Sequence, residues 1–152
     1  MKVEFENKTK MRVSADVLQV LMQCAEKVLN LPKESTVNIF FVDDAEIRKL
    51  NRTTRKINKI TDVLSFPIQS DEKLKKDLEG NVSLGDIVIN PGFALKNSIK
   101  QGREEKKELN FLAVHGLLHL CGYDHGSNEE QEKMDAMSKK IIANFQANDS
   151  SI

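Results

Sequence analysis

Between Phe111 and Cys121 the chain is apolar on nearly every face of a predicted helix, yet His115 and His119 interrupt the run four residues apart. A helix that is apolar all round is a buried one, and residues spaced by four project from the same side of it, about one turn apart. Burying an imidazole without compensation is unfavourable, and desolvation holds the ring neutral, the form that binds metal. Gly122 ends the helix as a left-handed C-terminal residue does. The turn Gly122-Tyr123-Asp124 then brings back His125, so that the stretch His115–His125 holds every histidine of the chain. Three imidazoles on a tetrahedral ion leave one position open for water, which is the catalytic arrangement and not the closed structural one. The expected centre is one ion per chain on His115, His119 and His125. Zinc is the first choice, although imidazoles also suit nickel, copper and iron. Asp124, next to His125, is placed to orient a ligand or the bound water from behind. Cys121 points to the other side of the helix and belongs to the core.

Around this helix the pattern reads as an α+β domain. Val3 and Phe5 alternate with acids as a short strand, and Ser14 caps a helix in which Val17, Leu18, Leu21, Met22, Ala25, Val28 and Leu29 recur at helical spacing, which Pro32 ends. Thr36 to Val42 reads as a strand, a helix starts near Asp43-Asp44 with Ile47 and Leu50 inward, and Asp62 to Pro67 forms a strand stopped by proline. The polar segment from Ser70 to Asn81 reads as a loop, and Ser83 to Ile89 as a fourth strand. Asn90-Pro91 then opens a short helix, Gly102 separates it from the long one, and Ser127 with Glu130 is the capping box of a last helix with Met134, Met137, Ile141 and Phe145 inward. The sum is about four strands in a mixed sheet with helices packed on it. At 152 residues the expectation is one domain, 1–152. A chain of this length buries enough surface to fold without a metal.

Lys+Arg and Asp+Glu are balanced at 23 each, so nucleic-acid binding has to come from a local patch. One such patch exists. From Arg48 to Lys59 the chain carries Arg48, Lys49, Arg52, Arg55, Lys56 and Lys59 with no acid among them. The run can neutralise several phosphates, although a solvated helix end would read the same way. With no Trp and few aromatic residues, base stacking is not an evident mode of binding. No window has the apolar length of a membrane span, the N-terminus lacks the pattern of a signal peptide, and Cys24 and Cys121 show no paired spacing. These features point to a cytoplasmic protein with no membrane partner.

Three histidines and a glycine at these offsets also suit the zincin-like metal-binding helix of metzincin proteases. Those enzymes carry a Glu directly after the first histidine as general base, and here that position is Gly116. The whole pattern resembles the YbeY family instead. Beside His-Gly-Leu-Leu-His-Leu-Cys-Gly-Tyr-Asp-His, the similar blocks are Leu50-Asn51 with Arg55, Thr61-Asp62-Val63-Leu64-Ser65-Phe66-Pro67, and Leu84-Gly85-Asp86-Ile87. Thr54 precedes the arginine where some members have Tyr. The resemblance implies a zinc-dependent endoribonuclease acting on single-stranded RNA, in small-subunit rRNA end processing and ribosome quality control. It implies catalytic roles for Arg55 and the three histidines. Arg48, Arg52, Arg55, Lys56 and Lys59 are the candidate RNA contacts, and the small ribosomal subunit and assembly proteins are the expected partners. A different class, an assembly or RNA-binding factor with a structural metal, keeps the same residues but predicts no cleavage. A metallohydrolase of peptides or small phosphoesters is the third reading. No general base stands out among Asp62, Asp86 and Asp124.

Overall fold

In the computed structural model, which describes residues 1–68 and 82–149, four strands form one mixed sheet. Strands β1 (Lys2–Asn7), β2 (Ser35–Phe41) and β4 (Val82–Ile89) run parallel, and β3 (Val63–Pro67) pairs antiparallel with β4, in the order β1-β2-β4-β3. The α+β class and the mixed four-stranded sheet are as expected from the sequence. The polar segment read as a loop over 70–81 lies outside the described residues, as do the last residues of the chain.

Both faces of the sheet are covered, which is why β2 alternates strictly between buried and half-buried residues. On one face Val37, Ile39, Phe41, Ile87 and Ile89 pack against α1 (Ala15–Leu29), α4 (Glu105–Leu120) and α5 (Asn128–Asp149). Leu117, Leu118 and Leu120 of α4 are fully enclosed there, each worth about 1.5–3 kcal/mol relative to exposure. Helix α3 (Pro91–Gln101) packs beside α4. The opposite face holds a smaller cluster, where Ile47 of α2 (Asp44–Arg55) meets Val42, Leu64 and Val88. Among the described residues α2 is the helix on this face, with its last turn near β3.

Most helix ends use the residues foreseen. Asp43 accepts a hydrogen bond from the Glu46 amide at 3.0 Å, Asn90 from Phe93 at 3.2 Å, and Ser127 from Glu130 at 3.1 Å. Ser14 precedes α1, but its side chain makes no capping bond, and α1 ends at the left-handed Asn30 (φ 53°), two residues before Pro32. An asparagine that tolerates positive φ does the work there that a proline was expected to do.

Two contacts set the height of α4 over the sheet. A side chain at Gly116 would place its Cβ 2.7 Å from Cγ2 of Ile87, so helix and strand approach closely enough to exclude a methyl group. Beside it, the Ser65 hydroxyl donates to the Gly116 carbonyl at 3.3 Å, tying β3 to the same turn. Gly85, in the bulge of β4 against β2, has φ +133° and no room for a Cβ, which would lie 2.3 Å from the Phe66 carbonyl oxygen.

Candidate metal centre and its cleft

His115 and His119 leave α4 one turn apart on the strip of the helix that the core does not cover. Cys121 is the last cap position, and Gly122 follows with φ +97°. A Cβ at Gly122 would meet nothing within 4 Å, so the glycine is required by its backbone angle and not by lack of space. The chain then reverses, and the Asp124 carboxylate accepts the His125 amide at 2.8 Å, which fixes the turn that presents the third ring. Asp124 therefore bonds the backbone of its neighbour. Cys121 packs toward the core, as expected.

The three Nε2 atoms converge. They stand 3.1 Å (His115–His119), 3.1 Å (His119–His125) and 3.4 Å (His115–His125) apart. Three nitrogens around a tetrahedral ion at metal–nitrogen distances near 2.0–2.1 Å would be separated by about 3.3 Å. Each neutral imidazole has a single N–H, and three nitrogens facing one another cannot satisfy each other as donors and acceptors. A cation between three lone pairs resolves that conflict. The donor set and spacing therefore fit a bound metal ion, and among the described residues this is the one His/Cys/Asp/Glu cluster with ligand geometry.

Electrostatics favour the ligand form. Burial, followed by the neighbouring rings of His119 and His125, lowers the His115 pKa from 6.5 to about 4, and Asp135 opposes the shift. Burial, then His125, also lowers that of His119, against a hydrogen bond from its ring to the Tyr123 backbone. With Nε2 turned to the other two rings, that backbone contact holds the tautomer in which Nε2 carries the lone pair. Phe111, one turn before His115, lies against it with ring centroids 5.7 Å apart and 29° between planes.

The histidines open on a cleft of about 590 Å³ walled by β3, the last turn of α2 and the turn after α4. Arg55 reaches it. Its guanidinium donates to the Ser65 carbonyl at 2.6 Å and lies over the Phe66 ring, 5.7 Å from the centroid. The other basic candidates stand further off. Arg48 and Arg52 share a helical stripe with Arg55, Arg48 donating to Asn58 at 2.9 Å, while Lys56 ends α2 at φ 62° and Lys59 lies in the loop beyond. All four are exposed, and none lines the cleft. Asp62 and Asp124 line it, whereas Asp86 accepts from the Asn38 side chain at 3.0 Å on the sheet. Asn51, Ile57 and Tyr123 also line the cleft; the sequence placed Asn51 and Tyr123 in motifs without giving them a site role, and did not mark Ile57 at all. Only Asn51 had a local signal, as a polar residue at a core-facing position of α2; it is buried and donates to the Lys59 carbonyl at 3.0 Å. A second cleft, of about 510 Å³, lies at the carboxyl ends of the parallel strands. Its carboxylates are committed, Asp43 to the α2 cap and Asp44 to the Asn90 amide, and it holds no histidine.

Fold and site together define a class: an α+β protein whose sheet-packed helix presents two histidines, joined by a third from the following turn, to an open cleft. The chain belongs to the YbeY family. It matches the family described as Endoribonuclease YbeY over residues 2–146. It is 38% identical over 133 residues to the Endoribonuclease YbeY of Oceanobacillus iheyensis, covering 86% of each chain. It is 40% identical over 129 residues to that of Moorella thermoacetica, covering 83% of each. The solution structure of TM1509 from Thermotoga maritima superposes with a TM-score of 0.61 at 26% identity, over 99% of this chain and 95% of that one.

Proposed function

We propose that this chain is a metal-dependent endoribonuclease that cleaves single-stranded RNA, with zinc on His115, His119 and His125 and with residues 1–152 acting as one domain. The observation that carries the reading is the convergence of three Nε2 atoms on the wall of a cleft that also holds Arg55. The family supplies the reaction, since relatives at 38–40% identity are endoribonucleases by name. The setting proposed for it is the cytoplasm, with the ends of small-subunit rRNA as substrate, the small ribosomal subunit as partner, and ribosome quality control as the wider role. No helix among the described residues is long and apolar enough to cross a membrane.

An ion on the three imidazoles would supply Lewis acidity toward water and a phosphoryl oxygen. The rest falls to the chain. Arg55 spends one N–H on the Ser65 carbonyl and rests on Phe66, so its guanidinium is held before substrate arrives. Its remaining donors match the paired oxygens of a phosphodiester, and a clamp that needs no reordering stabilises charge as it develops. Arg48, Arg52, Lys56 and Lys59 extend the positive surface along α2 and its loop, where they would track the flanking phosphates.

The test is cleavage of defined single-stranded and duplex RNA by wild type, His119→Ala and His115→Ala, with metal content measured in parallel. Metal and cleavage should disappear together, and duplex should be spared. Full activity in a metal-free variant would refute the mechanism. A folded wild type that binds RNA and never cuts it would favour an assembly factor with a structural metal.

A further inference from the structure

Helix α4 is mostly enclosed beyond its first turn. From Glu108 to Leu120 every residue is buried except Asn110, Phe111, His115 and His119. The last three recur at intervals of four, and Lys107, also exposed, stands one interval earlier. They make a single stripe of basic, aromatic, ligand and ligand side chains, spaced about 6 Å apart along the helix. Phe111 is the anomaly in it. It is 39% exposed, and no other phenylalanine or tyrosine among the described residues is left exposed. One side of its ring is turned to His115. A core explanation for an aromatic ring therefore does not apply, because the ring is not in the core.

We propose that Phe111 is a stacking platform for a nucleobase of the RNA strand, next to the phosphodiester held at the histidines and Arg55. Lys107, one turn further out, would meet the next phosphate on that side. This rests on the endoribonuclease reading and adds to it a residue that positions substrate. A strand whose phosphate sits at the histidines must place its adjoining bases somewhere on the surrounding surface. The nearest exposed π-face along the stripe is Phe111. Stacking on a phenyl ring is open to any base, and a duplex with its bases already stacked would not engage it. The low aromatic content of the chain concealed this, since the position of one ring matters here and not the number of rings.

The experiment is steady-state cleavage of a single-stranded oligoribonucleotide, intact or with one base removed at each nucleotide flanking the cut. It compares wild type, Phe111→Leu and Phe111→Tyr, with metal content measured for each. Leucine keeps apolar packing on His115 but has no π-face. Phe111→Leu should raise KM about tenfold with metal retained, and Phe111→Tyr should behave as wild type. Removing one flanking base should raise KM by a similar factor in wild type and Phe111→Tyr and have little further effect in Phe111→Leu. The proposal is overturned if Phe111→Leu keeps the wild-type KM, if it stays as sensitive to the missing base as wild type, or if its only defect is loss of metal. A wild type that cleaves no RNA would instead overturn the endoribonuclease reading itself, so the two failures look different.

Discussion

Replacing Gly116 by alanine puts the contact between α4 and β4 to a direct test. The new Cβ would lie 2.7 Å from Cγ2 of Ile87 and 3.2 and 3.3 Å from its Cγ1 and Cδ1, where ordinary contact begins near 3.4 Å. Ile87 is completely buried on a strand paired on both sides, and Cγ2 is fixed by β-branching, so the side chain cannot swing away. Overpacking of this kind costs about 1–3 kcal/mol. Alanine in a helix returns up to about 1 kcal/mol. The net expectation is a loss of about 1–2 kcal/mol, which for a chain of this size lowers the Tm by about 2–8 °C. Urea and thermal unfolding of metal-free protein measure it without a contribution from the ion. The decisive comparison is with Ile87→Ala, which deletes all three clashing atoms and by itself costs about 2–5 kcal/mol. On that background Gly116→Ala should change sign and stabilise by up to about 1 kcal/mol, because only the helix propensity term remains. If the glycine substitution costs the same with and without the isoleucine side chain, the close approach is not what requires glycine there.

Three further outcomes are expected. Arg55→Ala should change stability by less than about 1 kcal/mol, because the side chain is exposed, yet lower cleavage by about 100- to 1000-fold; parallel denaturation and rate measurements separate the two, and an equal loss in both would contradict the clamp. Gly122→Ala, at φ +97° with open space around it, should cost about 1–2 kcal/mol, displace His125 and weaken metal binding in chelator competition, with Gly122→Asn milder. In metal-free protein His115 is held neutral down to about pH 4, whereas the unfolded chain takes up that proton near 6.5. Its contribution to stability should be complete above pH 6.5 and decline as the pH falls through that window toward 4. Urea midpoints of wild type should therefore drop more steeply across this range than those of His115→Gln, and parallel curves would refute the assignment.

Much of the fold was legible because it is written in local patterns. The spacing of Leu18, Leu21, Met22 and Ala25, the caps at Asp43, Asn90 and Ser127, and the β-branched and aromatic run of β2 each report on a few neighbouring residues. The histidine cluster was legible for the same reason, since all three rings that could hold a metal fall within eleven residues, on one helix end and the turn after it. What was not legible depends on which distant elements meet. The bond from Arg55 to the Ser65 carbonyl requires the last turn of α2 to lie beside β3. Asn51, Ile57 and Tyr123 become cleft residues only once that edge faces the histidine turn. Gly116 looked informative for the carboxylate it lacks. In the fold, its Cβ direction points into Ile87 and away from the cleft, so helix height over the sheet accounts for the residue before any chemistry does.

The edge strand β3 has one more consequence. Asp62 and Ile68 bond inward to Asn90 and Leu84, so by the alternation of an antiparallel ladder the outward groups belong to Val63, Ser65 and Pro67. Pro67 has no N–H to offer, and the Ser65 carbonyl is already taken by Arg55. A polypeptide arriving in extended form beside the metal would find its hydrogen-bonding template broken at two successive outward positions. The same arginine would greet a phosphodiester with open donors. Pro67 and Arg55 together would thus sort polymers by their backbones, offering little to the amide chain that a histidine-rich helix of this spacing first brings to mind and suiting the groove to a polyanion.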